Sequence, residues 1–193
     1  MTRRRWALLG VLSPPLAAVL VLMAGVLTPG YDPVDRTISR LAAPGGTTAA
    51  AALVATCLVA LSCFVVAMSI HARVSRWALI VAGVGLFLTD VFRLDDASAT
   101  STVLHRLASG VAVGGLVVAP LGYGPISVVI GAVEVGLLIV ALPLLPTSFD
   151  AWGLWERCLL ALPLAWMVLV AARVIVSSEA AINTSRATSS RSG

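Results

Sequence analysis

A polytopic, all-α bundle of six transmembrane helices is what this sequence predicts, and three observations carry that expectation. Hydrophobic residues make up 59% of the 193 and charged residues 11%, whereas a soluble domain carries about 25% charged residues. Six apolar runs approach the roughly 20 residues that cross a hydrocarbon core of about 30 Å. The longest connection between them, 29–47, is too short to fold as a soluble domain. The expected spans are 6–28, 48–70, 77–94, 104–121, 126–145 and 156–176, within one domain over 1–180. A polar tail over 181–193, rich in Ser, Thr and Ala, is expected to be disordered.

The first run opens on "MTRRRW", a basic start of the kind that also begins a signal peptide. It stays apolar through Thr28 with no A-x-A cleavage site, so it reads as a retained helix. Pro14, Pro15 and Pro163 lie inside spans one and six and are expected to bend them. In span four, Gly110 and Gly114 form a G-x-x-x-G, a spacing that lets helices approach closely in lipid. Cys57, Cys63 and Cys158 sit in apolar runs, where a free thiol behaves as a small hydrophobe.

All thirteen basic residues are arginine, and the net charge is +4. Seven of them (Arg3, Arg4, Arg5, Arg73, Arg76, Arg186 and Arg191) fall in segments that share one side if the spans are even in number. The positive-inside rule puts that side, with both termini, in the cytoplasm of a cell membrane, a bacterial plasma membrane by this reading. The same distribution gives no support to nucleic-acid binding. Membrane lipids are the partners expected, and a dimer of the chain could supply a missing half.

The opposite side collects "PGYDPVDRTISRLAAPGG", "FRLDDASATSTVLHRLAS" and "PTSFDAWGLW". In the first of these, Val34, Ile38 and Leu41 recur at helical spacing, which predicts a short amphipathic helix over Val34–Ala42 lying at the interface. Arg36 and Arg40 stand one turn apart on it, and Ser39 is four residues from Asp35. Asp90 closes span three and His105 opens span four, so the two are expected to meet across a short loop. His105 with Asp90 or Asp95 would make an acid/base pair, since imidazole titrates near neutral pH. Arg36, Arg40 and Arg106 would hold an anionic group through planar, bidentate donors. Equally, the acids and arginines could pair as helix-end charges worth about 0–1 kcal/mol each.

Neither a metal nor a redox cofactor is implied. The two histidines, His71 and His105, fall on opposite sides, and haem-ligating pairs are missing. A Ser39–His105–Asp triad lacks any supporting nucleophile turn. Glu134 is the one acid deep in a span. An ionised carboxylate there costs at least ~2.5–3.5 kcal/mol, so a neutral acid bonded to Ser13 or Ser62, at matching depth, is expected.

The loops resemble those of the DUF998 membrane proteins. Pro29, Gly30 and Tyr31 followed by Thr37, Ile38 and Ser39 match that family's first landmark, and Asp95 followed by His105 matches its second. The chain departs from the pattern at Arg93 and Leu94, where the family has Gly and Pro. The resemblance implies a six-span fold and a polar site, and it implies no reaction. From the residues themselves come three readings: a protein that binds, and could modify, a lipid or isoprenoid-like amphiphile; a small proton-coupled transporter using Glu134; and a non-catalytic scaffold subunit.

Overall fold

In a computed structural model the chain is described over residues 3–144 and 149–189, with side chains described for 5–177 outside that gap and for Ala180. Six helices follow one another: α1 Arg3–Leu27, α2 Ala49–Ser69, α3 Arg73–Val91, α4 Ala99–Leu121, α5 Pro125–Leu144 and α6 Trp152–Ser189. All six are long and apolar enough to cross a membrane, and no strand interrupts them among the described residues. The expectation of a six-span all-α bundle therefore holds. The third span begins earlier and ends earlier than its hydropathy suggests, because the stretch from Phe92 to Ser98 is needed to turn the chain into α4. α6 continues through Ser189, past the start of the tail expected to be disordered. Residues 190–193 lie outside the described residues.

Packing follows the small residues. On α3, Ala78, Ala82, Gly85 and Leu86 recur at i, i+4, i+7 and i+8, and on α4 Ala108, Ala112, Gly115, Leu116 and Ala119 do the same. These stripes face each other. A Cβ added at Gly85 would lie 2.6 Å from the Ala112 nitrogen, and one at Gly115 would lie 2.6 Å from the Ala78 carbonyl oxygen. The close-approach glycines are thus Gly85 and Gly115. The expected pair, Gly110 and Gly114, has nothing within 4 Å of an added Cβ and lies on the opposite side of α4. Spacing alone could not separate these glycines, since all lie in equally apolar sequence.

The core gathers between α2, α3, α4 and α6, where Cys63, Val66, Leu79, Leu116, Met167 and Val170 are all buried. α1 packs on α2 and α6, while α5 packs on α4 and α6. Burying apolar side chains against each other gains little over lipid, so close small-residue contacts of this kind are what hold the helices together. Short connections return the chain at each end. The links α1–α2 and α3–α4 and the start of α6 meet at one end of the bundle, termed the mouth below.

Candidate functional site

The α1–α2 link is held as an open loop by the first turn of α6. Only one short 3-10 turn, Ile38–Arg40, forms within it, in place of the expected amphipathic helix. Its carbonyls are occupied elsewhere: Leu154 N donates to Val34 O at 2.9 Å and Gly153 N to Asp35 O at 3.2 Å. Arg157 donates to Pro33 O and to Gly153 O, both at 2.7 Å. These bonds draw the loop onto the first turn of α6 in place of closing it on itself, which is why the apolar spacing of Val34, Ile38 and Leu41 was misleading. Leu41 is buried, but Val34 is exposed.

Glu156, one turn into α6, accepts the backbone N–H of Ile38 and, at 3.4 Å, the hydroxyl of Ser39. Tyr31 completes the clasp. Its hydroxyl accepts from Arg157 Nη2 at 2.7 Å and lies 3.0 Å from Arg36 O, to which it donates. Burial pushes this phenol above its ordinary pKa, opposed chiefly by the bond from Arg157. Tyr31 therefore fastens the loop, and it is not among the residues lining the mouth, contrary to its expected place in the ligand set.

The α3–α4 link is stapled to its own helix. Asp95 Oδ1 accepts from Ala97 N at 2.9 Å, Thr102 donates to Asp95 O at 2.8 Å, and Ser101 donates to Arg93 O at 2.7 Å. Ser98 caps α4 by accepting from Ser101 N. The side chain of Asp95 is a turn-former here, and it makes no bond to His105. Across the mouth, Arg40 bridges to Asp96 through two bonds of 3.0 and 2.8 Å. That pairing occupies Arg40, one of the three arginines expected to take an anion.

His105 is buried at the opening of α4, with Nδ1 2.8 Å from Phe92 O and 3.3 Å from Thr89 O. Carbonyl oxygens only accept, so Nδ1 carries the proton and donates. In the neutral ring Nε2 is then an acceptor. The expected imidazole–carboxylate pair is not formed: Asp90 instead accepts from the Cys57 thiol at 3.2 Å. The α3 carbonyls, two of which are left free where that helix ends, outcompete the acids for this proton.

These residues line adjoining cavities. A cavity of ≈ 1040 Å³ at the mouth is lined by Arg36, Arg106, Ser39, Ser109, His105 and Glu156, among others. A second, of ≈ 240 Å³, lies against His105, Glu156, Ser39 and Ser109 as well, and continues to Asp90, Ala112, Leu159 and Leu160. A third, almost wholly apolar space shares Ile38, Thr56, Leu86 and Leu160 with the second and reaches Ala17 and Leu22 on α1. Of the expected site residues, the fold brings His105, Ser39, Arg36 and Arg106 to one mouth and sets Asp90 in the chamber beneath.

A family model described as a protein of unknown function, DUF998, matches residues 11–173. The chain belongs to the DUF998 family. No curated protein and no solved structure matches it. Within this DUF998 chain, the matched span covers both loops that clasp the mouth and most of α6. Tyr31, Ile38 and Ser39 of the first landmark meet Glu156 and Arg157 of α6, so that motif serves to dock the loop.

Three contributors have roles that the sequence did not assign. Glu156 and Arg157 are expected from span order among the charges at this surface, but not as the clasp of the first loop. Trp155 lines the inner cavity, and its Nε1 is buried without an acceptor among the described residues. Glu134 lies elsewhere. It is fully buried, and neither carboxyl oxygen has a partner among the described residues. Ser13 and Ser62 do not reach it: α5 packs on α4 and α6, and Ser62 faces Gly10 O at 3.4 Å.

Proposed function

We propose that this protein binds an anionic amphiphile, with its headgroup in the mouth and its tail passing through the inner cavity to the lipid-facing groove. One observation supports the reading: polar mouth, inner chamber and apolar groove adjoin one another through shared lining residues, in an order that runs from charge to hydrocarbon. Arg36 and Arg106 line the mouth with no ion pair to a described residue, while Arg40 is spent on Asp96. Arginine's fixed donors suit a phosphate or carboxylate. By the arginine count of the chain, this mouth opens on the non-cytoplasmic side of a cell membrane.

Native mass spectrometry of the purified protein, with extraction of co-purifying lipids, tests the reading. Anionic amphiphile should be retained by the wild type, and lost both from the double variant Arg36→Gln/Arg106→Gln and from Val113→Phe, which fills the inner cavity. Retention unchanged in both variants would refute it.

A second reading, a proton-coupled carrier, draws on Glu134 alone, whose buried carboxyl has no partner among the described residues. Glu134 does not line the mouth or the chambers beneath it, which favours the first reading. Proton flux in proteoliposomes, abolished by Glu134→Gln, would reverse that order.

A further inference from the structure

We infer that Arg40 is a third headgroup ligand, one that changes partner on binding: the anionic group takes its guanidinium from Asp96, and the bridge across the mouth is released. The inference rests on the amphiphile reading above and deepens it by adding a residue that the pairing with Asp96 conceals.

The bridge has the geometry of an exchangeable pair. Both of its bonds start from one nitrogen, Nη1, which reaches Asp96 Oδ1 at 3.0 Å and Oδ2 at 2.8 Å. Strong arginine–carboxylate pairs set two nitrogens against two oxygens. Here Nε and Nη2 donate to no described residue, so their N–H groups remain for a second acceptor. A headgroup can therefore engage Arg40 before Asp96 lets go. Asp96 loses little by leaving, because its side chain is 80% accessible and water replaces the arginine. The competition favours a headgroup that meets Arg36 and Arg106 at the same mouth over a carboxylate that stands mostly in water.

The pair also stands alone in its position. One wall of the mouth is the first loop, fastened to α6 through Glu156 and Arg157. The facing wall is the α3–α4 link, fastened to α4 through Ser101 and Thr102. Among the described residues no other hydrogen bond or ion pair joins these two segments. Each is held by its own bonds, so transfer of Arg40 to the headgroup unties them from each other and disturbs neither.

A double-mutant cycle on binding tests the exchange. Oleyl phosphate and dioleoyl phosphatidylglycerol are titrated by native mass spectrometry into the full chain in a phosphate-free maltoside detergent. The wild type, Asp96→Asn, Arg40→Gln and the double variant are compared. Both side chains are exposed, so loss of the pair leaves the fold intact. Asp96→Asn should bind about twofold to fivefold more tightly, the scale of an exposed pair. Arg40→Gln should bind roughly tenfold less tightly, the scale of a charged hydrogen bond. With Arg40 replaced, the gain from Asp96→Asn should vanish, because no arginine is left to free. A gain of equal size with and without Arg40 would overturn the inference, since Asp96 would then act only by repelling the anion. So would Asp96→Asn binding no tighter than the wild type, or Arg40→Gln binding as tightly. In all three cases the amphiphile reading survives. If neither probe binds to any of the four proteins, that reading falls too.

Discussion

The carboxylate of Glu156 accepts the backbone N–H of Ile38, a residue 118 positions earlier in the chain. This bond, with the one from Ser39, ties the first loop to the start of α6 and so forms one wall of the mouth. Glu156→Ala leaves a partly buried N–H and a hydroxyl without their acceptor. The expected loss is about 1–3 kcal/mol, read as a lowered midpoint of thermal unfolding in detergent. Glu156→Gln keeps an acceptor oxygen and should lose less. Equal losses in the two variants would mean that the carboxylate's charge, and not its role as acceptor, holds the loop.

The same junction requires glycine at 153. A Cβ there would lie 2.3 Å from Arg36 O and 2.6 Å from Pro33 O, contacts with backbone that no rotamer can relieve. Gly153→Ala should therefore destabilise by about 1–3 kcal/mol or more and loosen the loop, seen as faster proteolysis between Pro33 and Arg40. Gly110→Ala and Gly114→Ala meet open space and should be neutral or stabilising by up to about 1 kcal/mol. Gly85→Ala and Gly115→Ala should behave like Gly153→Ala. Thermal unfolding of the five variants separates the groups.

That contrast marks where the sequence could be read and where it could not. Hydrocarbon thickness imposes helix length, so the six spans are written in the hydropathy of the chain. The convergence of Arg36, Ser39, Arg106 and His105 follows from span order, which sends alternate loops to one end. Nothing in the spacing of Gly110 and Gly114 distinguishes them from Gly85 and Gly115, because packing partners lie on another helix. The amphipathic spacing of Val34, Ile38 and Leu41 was real, but backbone acceptors claimed by Gly153, Leu154 and Arg157 override it. Nor could His105 be seen to prefer the Phe92 carbonyl over Asp90, since a helix end's free carbonyl leaves no mark in composition.

Tyr31 gives a pH dependence with a defined sign. Its phenol is held above the ordinary value of 10.0 by burial, so between that value and the folded one the native state keeps a proton that the unfolded chain has released. Stability is then fully present below pH 10 and falls as the pH rises through the folded value. Denaturation midpoints measured from pH 8 to 12 should decline more steeply for the wild type than for Tyr31→Phe. Parallel curves would remove Tyr31 from the explanation. At neutral pH Tyr31→Phe should itself be destabilised by about 1 kcal/mol or more, because Arg157 Nη2 loses its acceptor at 2.7 Å.

The Arg40–Asp96 bridge is exposed, with the aspartate side chain 80% accessible. Exposed pairs contribute about 0–1 kcal/mol, so Asp96→Asn should change unfolding by no more than that. Its effect on ligand binding should be larger, because it frees Arg40 beside Arg36 and Arg106 at the same mouth. Anionic amphiphile should bind more tightly to Asp96→Asn than to the wild type, and the gain should shrink as salt is raised. Weaker binding would show that Asp96 itself contacts the headgroup or that the bridge shapes the mouth.

Glu134 supplies the sharpest test of how polarity is tolerated inside the bundle. It is fully buried, and its two oxygens have no partner among the described residues. Removing such a group deletes no bond, and it relieves the cost of desolvating a polar side chain. Glu134→Leu should accordingly be as stable as the wild type or more so, whereas Glu134→Lys, which puts an obligate charge at that depth, should fail to accumulate in the membrane. Infrared spectra at neutral pH should carry a protonated carboxyl stretch that disappears in Glu134→Gln. A carboxylate band in its place, or a large loss of stability in Glu134→Leu, would require a cation or water held against α5 by groups on α4 and α6.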